Sequence, residues 1–168
     1  MISKRAITKA HAAILIIILV AVGYHYYSTP KAPEVKEIRI GLLYPLTGAL
    51  STLGTEECEA SKMAIDMINE RGGIKGYKVT YVVADAKSDP KVAASEAERL
   101  CTLEKVPIIV GTYSSALLLA ASEVAEKYKT IYWEVGAITE KATLRGYKYL
   151  FRPEIIGSDY GYISAKFV

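Results

Sequence analysis

The chain has 168 residues, with 21 Lys and Arg against 18 Asp and Glu for a net charge of +3, a length that makes one domain the default. The whole basic excess sits in the first ten residues, at Lys4, Arg5 and Lys9, and residues 31–168 carry 18 charges of each sign, so the body has no basic stripe for phosphates and a nucleic-acid binder is disfavoured. His11 and His25 are the only histidines, which leaves the body without an imidazole for Ser-His-Asp or Cys-His catalysis or for a His-bearing zinc site.

Residues 1–9 form a short basic region, followed by the apolar run AAILIIILVAVG at 12–23 and then Tyr24-His25-Tyr26-Tyr27. The pattern predicts a membrane-targeting segment over 1–27. The run is shorter than the roughly 20 residues that span a bilayer comfortably, but tyrosines extend such a segment into the headgroup region. With no small-x-small cleavage site before Ser28 and no cysteine there for lipid attachment, an uncleaved transmembrane signal-anchor is expected. Positive-inside logic then places the body outside the cytoplasm. Residues 28–37 (STPKAPEVKE) read as an extended linker, and residues 38–168 as the folded lobe.

Residues 38–44 (IRIGLLY) predict a first strand, and PLTGALSTLG after it a long loop with Pro45, Gly48 and Gly54. A helix is expected over 55–71, with Ala60, Met63, Ala64, Met67 and Ile68 on its apolar face, ended by Gly72-Gly73. Residues 78–84 predict the second strand. Asp89 then caps a helix with Pro90 at its first position, running to about residue 105. A third strand is expected at 108–110, a helix at 116–128, a fourth strand at 130–135, a loop and short helix at 136–145, a fifth strand at 149–152 and a further helix at 158–168. Strands separated by helical crossovers imply an α/β fold, doubly wound around a mainly parallel sheet. Cys58 and Cys101 fall on consecutive crossover helices, so two unpaired thiols are expected in preference to a bridge.

In such a sheet, ligands collect at the carboxyl ends of the strands. The first loop there lacks G-x-G-x-x-G, and no G-K-[ST] occurs, so nucleotide binding is unsupported. Asp85 and Asp89 read better as a turn residue and a helix cap than as a working carboxylate pair. In Thr112-Tyr113-Ser114-Ser115, serines at a helix N-terminus combine hydroxyls, free N–H groups and the positive end of the dipole, which suits a carboxylate. Ser114 capping its own helix is an equal reading. Gly136-Ala137-Ile138-Thr139 has small residues that admit a ligand to the backbone and a threonine that could cap. Trp133 and Glu134 alternate at a strand end, and a glutamate there could receive an ammonium, although a salt-bridged or solvated acid is the commoner case.

Taken in order, IRIGLLYPLTGALSTLGTEE, INERGGIKGYKV, DAKSDPKVAASEAERL, VGTYSS, GAIT and RGYKYLFRP resemble the solute-binding proteins of branched-chain amino-acid ABC importers. These proteins have the type I periplasmic-binding fold, in which two α/β lobes close over a ligand. The resemblance implies a truncated N-terminal lobe over 38–168, no enzyme activity, no cofactor and no metal. It implies that Ser115 most directly, with Ser114 and Tyr113 in the same loop, holds the ligand carboxylate. Gly136 and Ala137 would offer main-chain carbonyls to the ammonium. Ile138 stands where an amino-acid binder usually has its threonine, with Thr139 one place later, and Leu53 stands where an aromatic residue is common. The implied partners are an amino acid or small carboxylate, ABC permease subunits and, through the N-terminal helix, the membrane. A tethered sensor ectodomain, a gene fragment and an α/β enzyme fragment are the competing readings.

Overall fold

The computed structural model describes residues 17–21, 23–24 and 36–167. The chain separates into two compact units, Met1–Val35 and Lys36–Val168. In the first, residues 17–21 and 23–24 are helical, and Ile17, Ile18, Leu19 and Val20 are exposed. The rest of the anchor expected at 1–27, and the linker up to residue 35, lie outside the described residues. Among the described residues no helix is long and apolar enough to cross a membrane.

The second unit alternates strand and helix throughout. The strands are β1 (Glu37–Tyr44), β2 (Lys78–Asp85), β3 (Ile108–Gly111), β4 (Ile131–Glu134) and β5 (Leu150–Phe151). The helices are α1 (Ser51–Glu70), α2 (Pro90–Thr102), α3 (Ser115–Tyr128), α4 (Lys141–Leu144) and α5 (Gly157–Ala165). The strands form one sheet in the order β2-β1-β3-β4-β5, and every neighbouring pair is parallel. The expected α/β class and element order are therefore observed, with a sheet that is wholly parallel among the described residues.

Alternation along the strands sorts the core into two layers. Leu43, Ala84, Ile109 and Tyr132 face α2 and α3, and pack with Ala93, Ala97, Leu100, Leu117, Leu118, Ala121 and Ala125. Leu42, Tyr44 and Val79 face α1 and pack with Cys58 and Ile65. Gly41 points toward α2, where a Cβ would stand 3.0 Å from Leu100. The two cysteines thus belong to opposite sides of the sheet, and both are free. Burial pushes both thiols above their ordinary value.

Helix α1 departs from the periodicity argument in two ways. It begins at Ser51, so Gly54 lies inside the helix and not in the loop. The reason is contact: a Cβ on Gly54 would stand 2.3 Å from the Pro45 carbonyl oxygen, so only glycine lets the first turn close onto the end of β1. Its buried stripe is Gly54, Cys58 and Ile65, with Ser61 and Asn69 half-buried beside them. Met63, Met67 and Ile68, expected to face the core, are exposed, as are Ala60 and Ala64. Three hydrogen bonds select the stripe that turns inward. The Tyr44 hydroxyl meets the Ser61 hydroxyl at 2.7 Å. The Asn69 carboxamide donates to the Val79 carbonyl and accepts from the Val79 N–H, both at 2.8 Å.

Elsewhere the local signals act as expected. Asp89 accepts from the Lys91 and Val92 N–H groups, with Pro90 at the first helical position. Gly73, at φ +75, leaves α1, and a Cβ there would meet the Tyr77 carbonyl oxygen at 2.0 Å. On the α1 side of the sheet, Ile131, Trp133 and Phe151 of β4 and β5 are exposed. Trp133 and Phe151 stack there with ring centroids 6.3 Å apart.

Candidate functional site

The strand order reverses direction between β1 and β3: the chain runs from β1 outward to β2, then returns to the other side of β1 for β3. The crevice at that switch point, at the carboxyl ends, is the expected place for a ligand in an open parallel sheet. Its walls are residues 45–50 after β1 and residues 112–114 after β3. The Tyr113 hydroxyl donates across it to the Leu50 carbonyl at 2.9 Å.

Residues 45–50 are shaped by Asp85 at the end of β2. Its carboxylate accepts from the Leu46, Thr47 and Lys87 N–H groups and from the Thr47 hydroxyl. Burial draws the Asp85 carboxyl upward, but these hydrogen bonds outweigh it and hold the group below its ordinary value. Asp85 is therefore a loop-closing anion. Ser88 completes the closure by donating to the Thr47 carbonyl and accepting from the Leu50 N–H.

Beyond β3, Gly111 has φ +141 and Thr112 has φ +53. A Cβ on Gly111 would lie 2.0 Å from the Leu43 carbonyl oxygen, so the crevice floor requires glycine. Thr112 is fully buried, and its hydroxyl meets that of Tyr132 at 2.6 Å. This sharp turn delivers Ser114 to the N-cap of α3 in an extended conformation and Ser115 to its first turn. Ser114 makes no side-chain capping bond. Of the two readings of this serine, self-capping is thus absent, and Tyr113, Ser114 and Ser115 stand together, half-buried, at a helix N-terminus.

The loop after β4 is organised by Glu134, a fully buried carboxylate. Its Oε1 accepts from the Gly136 N–H at 2.5 Å and from the Ala137 N–H. Ala137 is buried in the core, while Gly136 and Thr139 are half-buried. Arg152, just past β5, donates through Nη1 to the Ala137 carbonyl at 3.1 Å and to the Thr139 carbonyl at 2.7 Å. The Ile138 carbonyl accepts from the Gly157 N–H at 2.8 Å. Gly136 faces Tyr113: a Cβ on it would lie 3.0 Å from the Tyr113 Cβ and 3.6 Å from Glu57 Oε1. The 113–115 and 136–137 segments are therefore neighbours. Leu53 is exposed on the first turn of α1.

Glu57, Tyr44 and Arg152 of this region were not singled out as site residues from the sequence. Glu57 lies on the half-buried flank of α1 and lines, with Tyr44, Ala60, Ser61, Ala64 and Val135, a hollow of about 280 Å³. Burial, reinforced by Glu134 and Glu154, pushes its carboxyl up to about 7. Burial likewise raises Glu134, against the lowering effect of its backbone hydrogen bonds and Arg152. Tyr44 is pushed up to about 12, chiefly by burial. The signal for Glu57 was its place one residue before Cys58 on the stripe that includes Gly54, Ser61 and Ile65. Arg152 had none beyond its position at a strand end. Larger hollows of about 550 and 490 Å³ run along the outer flank of α3, sharing Ala120 and Glu123. They include none of the loop residues above.

A family model described as Periplasmic binding protein matches residues 37–158. The chain belongs to this family. Its members are substrate-binding, non-catalytic proteins. Among curated relatives, the chain is 42% identical over 132 residues to Leu/Ile/Val-binding protein homolog 8 of Brucella suis biovar 1, covering 79% of this chain and 32% of that protein. It is 36% identical over 142 residues to homolog 7 of the same organism, covering 84% and 35%. Among solved structures, the branched-chain amino acid transporter substrate binding protein LivJ of Streptococcus pneumoniae, in complex with isoleucine, superposes with a TM-score of 0.70 at 34% identity, over 72% of this chain and 34% of that one. The leucine binding protein LivK of Thermotoga maritima gives a TM-score of 0.70 at 29% identity, over 77% and 36%. The chain thus spans about a third of the length of the relatives it matches.

Proposed function

We propose that this chain is the N-terminal part of the extracytoplasmic solute-binding component of an ABC importer, taking a branched-chain or related amino acid. The carrying observation is the turn at 112–115, which presents Ser114 and Ser115 at the N-terminus of α3 with the Ser114 hydroxyl free of its capping role. A helix N-terminus supplies unsatisfied N–H groups and the positive end of a dipole, and flanking hydroxyls add directional donors, so the site suits a carboxylate. Relatives with this fold are described in complex with isoleucine, with 3,4-dihydroxy benzoic acid and with 4-hydroxybenzoate. A carboxylate is common to all three. The open apolar face at Ile131, Trp133 and Phe151 supports a lobe completed by further chain. In this reading the N-terminal 1–27 segment tethers the lobe to the membrane, beside the permease subunits.

Closure between two lobes is what buries a ligand in such proteins, so one lobe binds weakly. The test is ligand-dependent thermal stabilisation of the full chain with L-leucine, L-isoleucine and 4-hydroxybenzoate. A ligand at about 100 times its Kd adds about 2.7 kcal/mol. Ser115→Phe is expected to abolish the response while leaving the unliganded Tm within a few degrees. Unchanged stabilisation in Ser115→Phe overturns the assignment of the serine loop.

A further inference from the structure

Two faces of the folded unit are uncovered among the described residues, and they lie on opposite sides of the sheet. The outer stripe of α1 is apolar and acidic. Met63 and Met67 are 62% and 46% exposed, with Ala60 and Ala64 exposed beside them. The helix carries Glu56, Glu57, Glu59, Asp66 and Glu70 against Lys62 alone, and of these acids only Glu59 is in an ion pair among the described residues. The outer flank of α3 is apolar and basic. Ala120 and Glu123 stand on a ridge with a hollow on each side, of about 550 Å³ toward α4 and about 490 Å³ toward α2. Lys141 and Arg145 rim the first hollow and Lys91 and Lys127 the second, while Glu123 is the one acid of the lining. Lys91, Lys141 and Arg145 have no ion pair among the described residues, and Lys127 meets Glu98 at 3.8 Å.

We propose that the α1 stripe of one copy docks on the α3 flank of the next, so that the chain self-associates head to tail. Charge selects this pairing. Like faces would set acid against acid or cation against cation, whereas unlike faces set the unpaired acids of α1 opposite the unpaired cations around α3. Length agrees with it: Glu56 to Glu70 spans about 21 Å of α1 and Ala116 to Lys127 about 17 Å of α3, at about 1.5 Å per residue. Small residues at Ala60 and Ala64 on one helix and Ala116 and Ala120 on the other bring the axes to the near end of the usual separation of about 8–10 Å. The unbranched, adaptable side chains of Met63 and Met67 then fill the hollows beside the ridge. Because α1 packs on one side of the sheet and α3 on the other, the two faces of one copy never meet. Each contact therefore leaves one face of each kind free at the ends, and growth is open-ended unless a ring closes.

The test is sedimentation equilibrium of the full chain in a mild detergent, at low salt and in about 1 M NaCl, where the Debye length shrinks to about 3 Å. At low salt the mass should rise with protein concentration past two copies, and the association should weaken about tenfold or more in high salt. Met63→Lys with Met67→Lys disables the α1 stripe, and Lys91→Glu with Lys141→Glu disables the α3 flank. All four residues are exposed, so the Tm of each double variant should stay near wild type. Each double variant alone should remain a single copy, since growth needs both faces. Mixed in equal amounts they should form a heterodimer and nothing larger, because one intact stripe and one intact flank remain between them. A wild type that stays single at millimolar concentration overturns the proposal and leaves the α1 stripe to another occupant, such as further chain of a longer protein. Association that stops at a dimer, ignores salt or persists in both double variants overturns it as well, the last result assigning assembly to the N-terminal apolar segment or another surface.

Discussion

Glu57→Gln should make the protein more stable at neutral pH and nearly unchanged in acid. In the folded chain the Glu57 carboxyl is pushed up from 4.5 to about 7, first by burial and then by Glu134 and Glu154. The unfolded chain releases this proton near 4.5, so between those two values ionisation is easier in the unfolded state. Stability therefore falls as pH rises through this window and levels off above it. Two and a half powers of ten at 1.36 kcal/mol each give at most about 3.4 kcal/mol. Glutamine cannot ionise, so it removes that slope while keeping the shape of the side chain. The assay is urea denaturation of both proteins below pH 4.5 and above pH 7, followed by tryptophan fluorescence from Trp133. With a slope of about 1–3 kcal/mol per molar urea, the variant's midpoint should exceed wild type by roughly 1–3 M above neutrality. It should match wild type in acid. Parallel pH profiles for the two proteins would refute the argument, because they would show that Glu57 titrates alike in both states. Glu134→Gln should give a slope change of the same sign, since burial raises that carboxyl as well.

Gly54→Ala places a Cβ 2.3 Å from the Pro45 carbonyl oxygen, so it should cost about 1–3 kcal/mol despite alanine's better helix propensity, as read by thermal unfolding. Asn69→Ala removes both hydrogen bonds to Val79 and should cost about 1–3 kcal/mol. Asn69→Asp should not restore the loss, because a carboxylate cannot donate to the Val79 carbonyl. With Cys58 buried against α1's face of the sheet and Cys101 half-buried on the other, iodoacetamide should label Cys101 first in the native protein. Non-reducing mass analysis should show no internal bridge, and a Cys58–Cys101 linked peptide would contradict the layer assignment.

Much of the fold is legible in the residues because its signals are local. Period-two apolar runs and the Gly72-Gly73 stop mark elements through backbone geometry alone, and Asp89-Pro90 caps α2 in the structure as its residue types require. Their alternation already implies a parallel sheet, since parallel neighbours need crossovers. The 112–115 and 136–139 segments could likewise be placed at strand ends, where α/β sheets bind ligands. Helix α1 shows where local reading stops. It carries an apolar stripe of Ala60, Met63 and Met67 and a stripe of small residues at Gly54, Cys58 and Ser61. Hydrophobicity favours the first, yet the second is buried, because only small residues allow close approach to β1 while Tyr44 and Val79 offer polar partners.

Order along the chain, element type and the neighbourhood of the site were thus determined by the sequence itself, through propensities and periods that act within a few residues. The inward face of α1, the release of Ser114 from capping and the meeting of Glu57 with Glu134 around Gly136 were decided only in the tertiary structure. Each depends on distances between residues far apart in the chain. Carboxyl groups 77 positions apart are ordinary surface acids in a sequence. They come to share a buried environment only when α1 packs at the carboxyl edge of β1 and the loop after β4 folds back over its own glutamate.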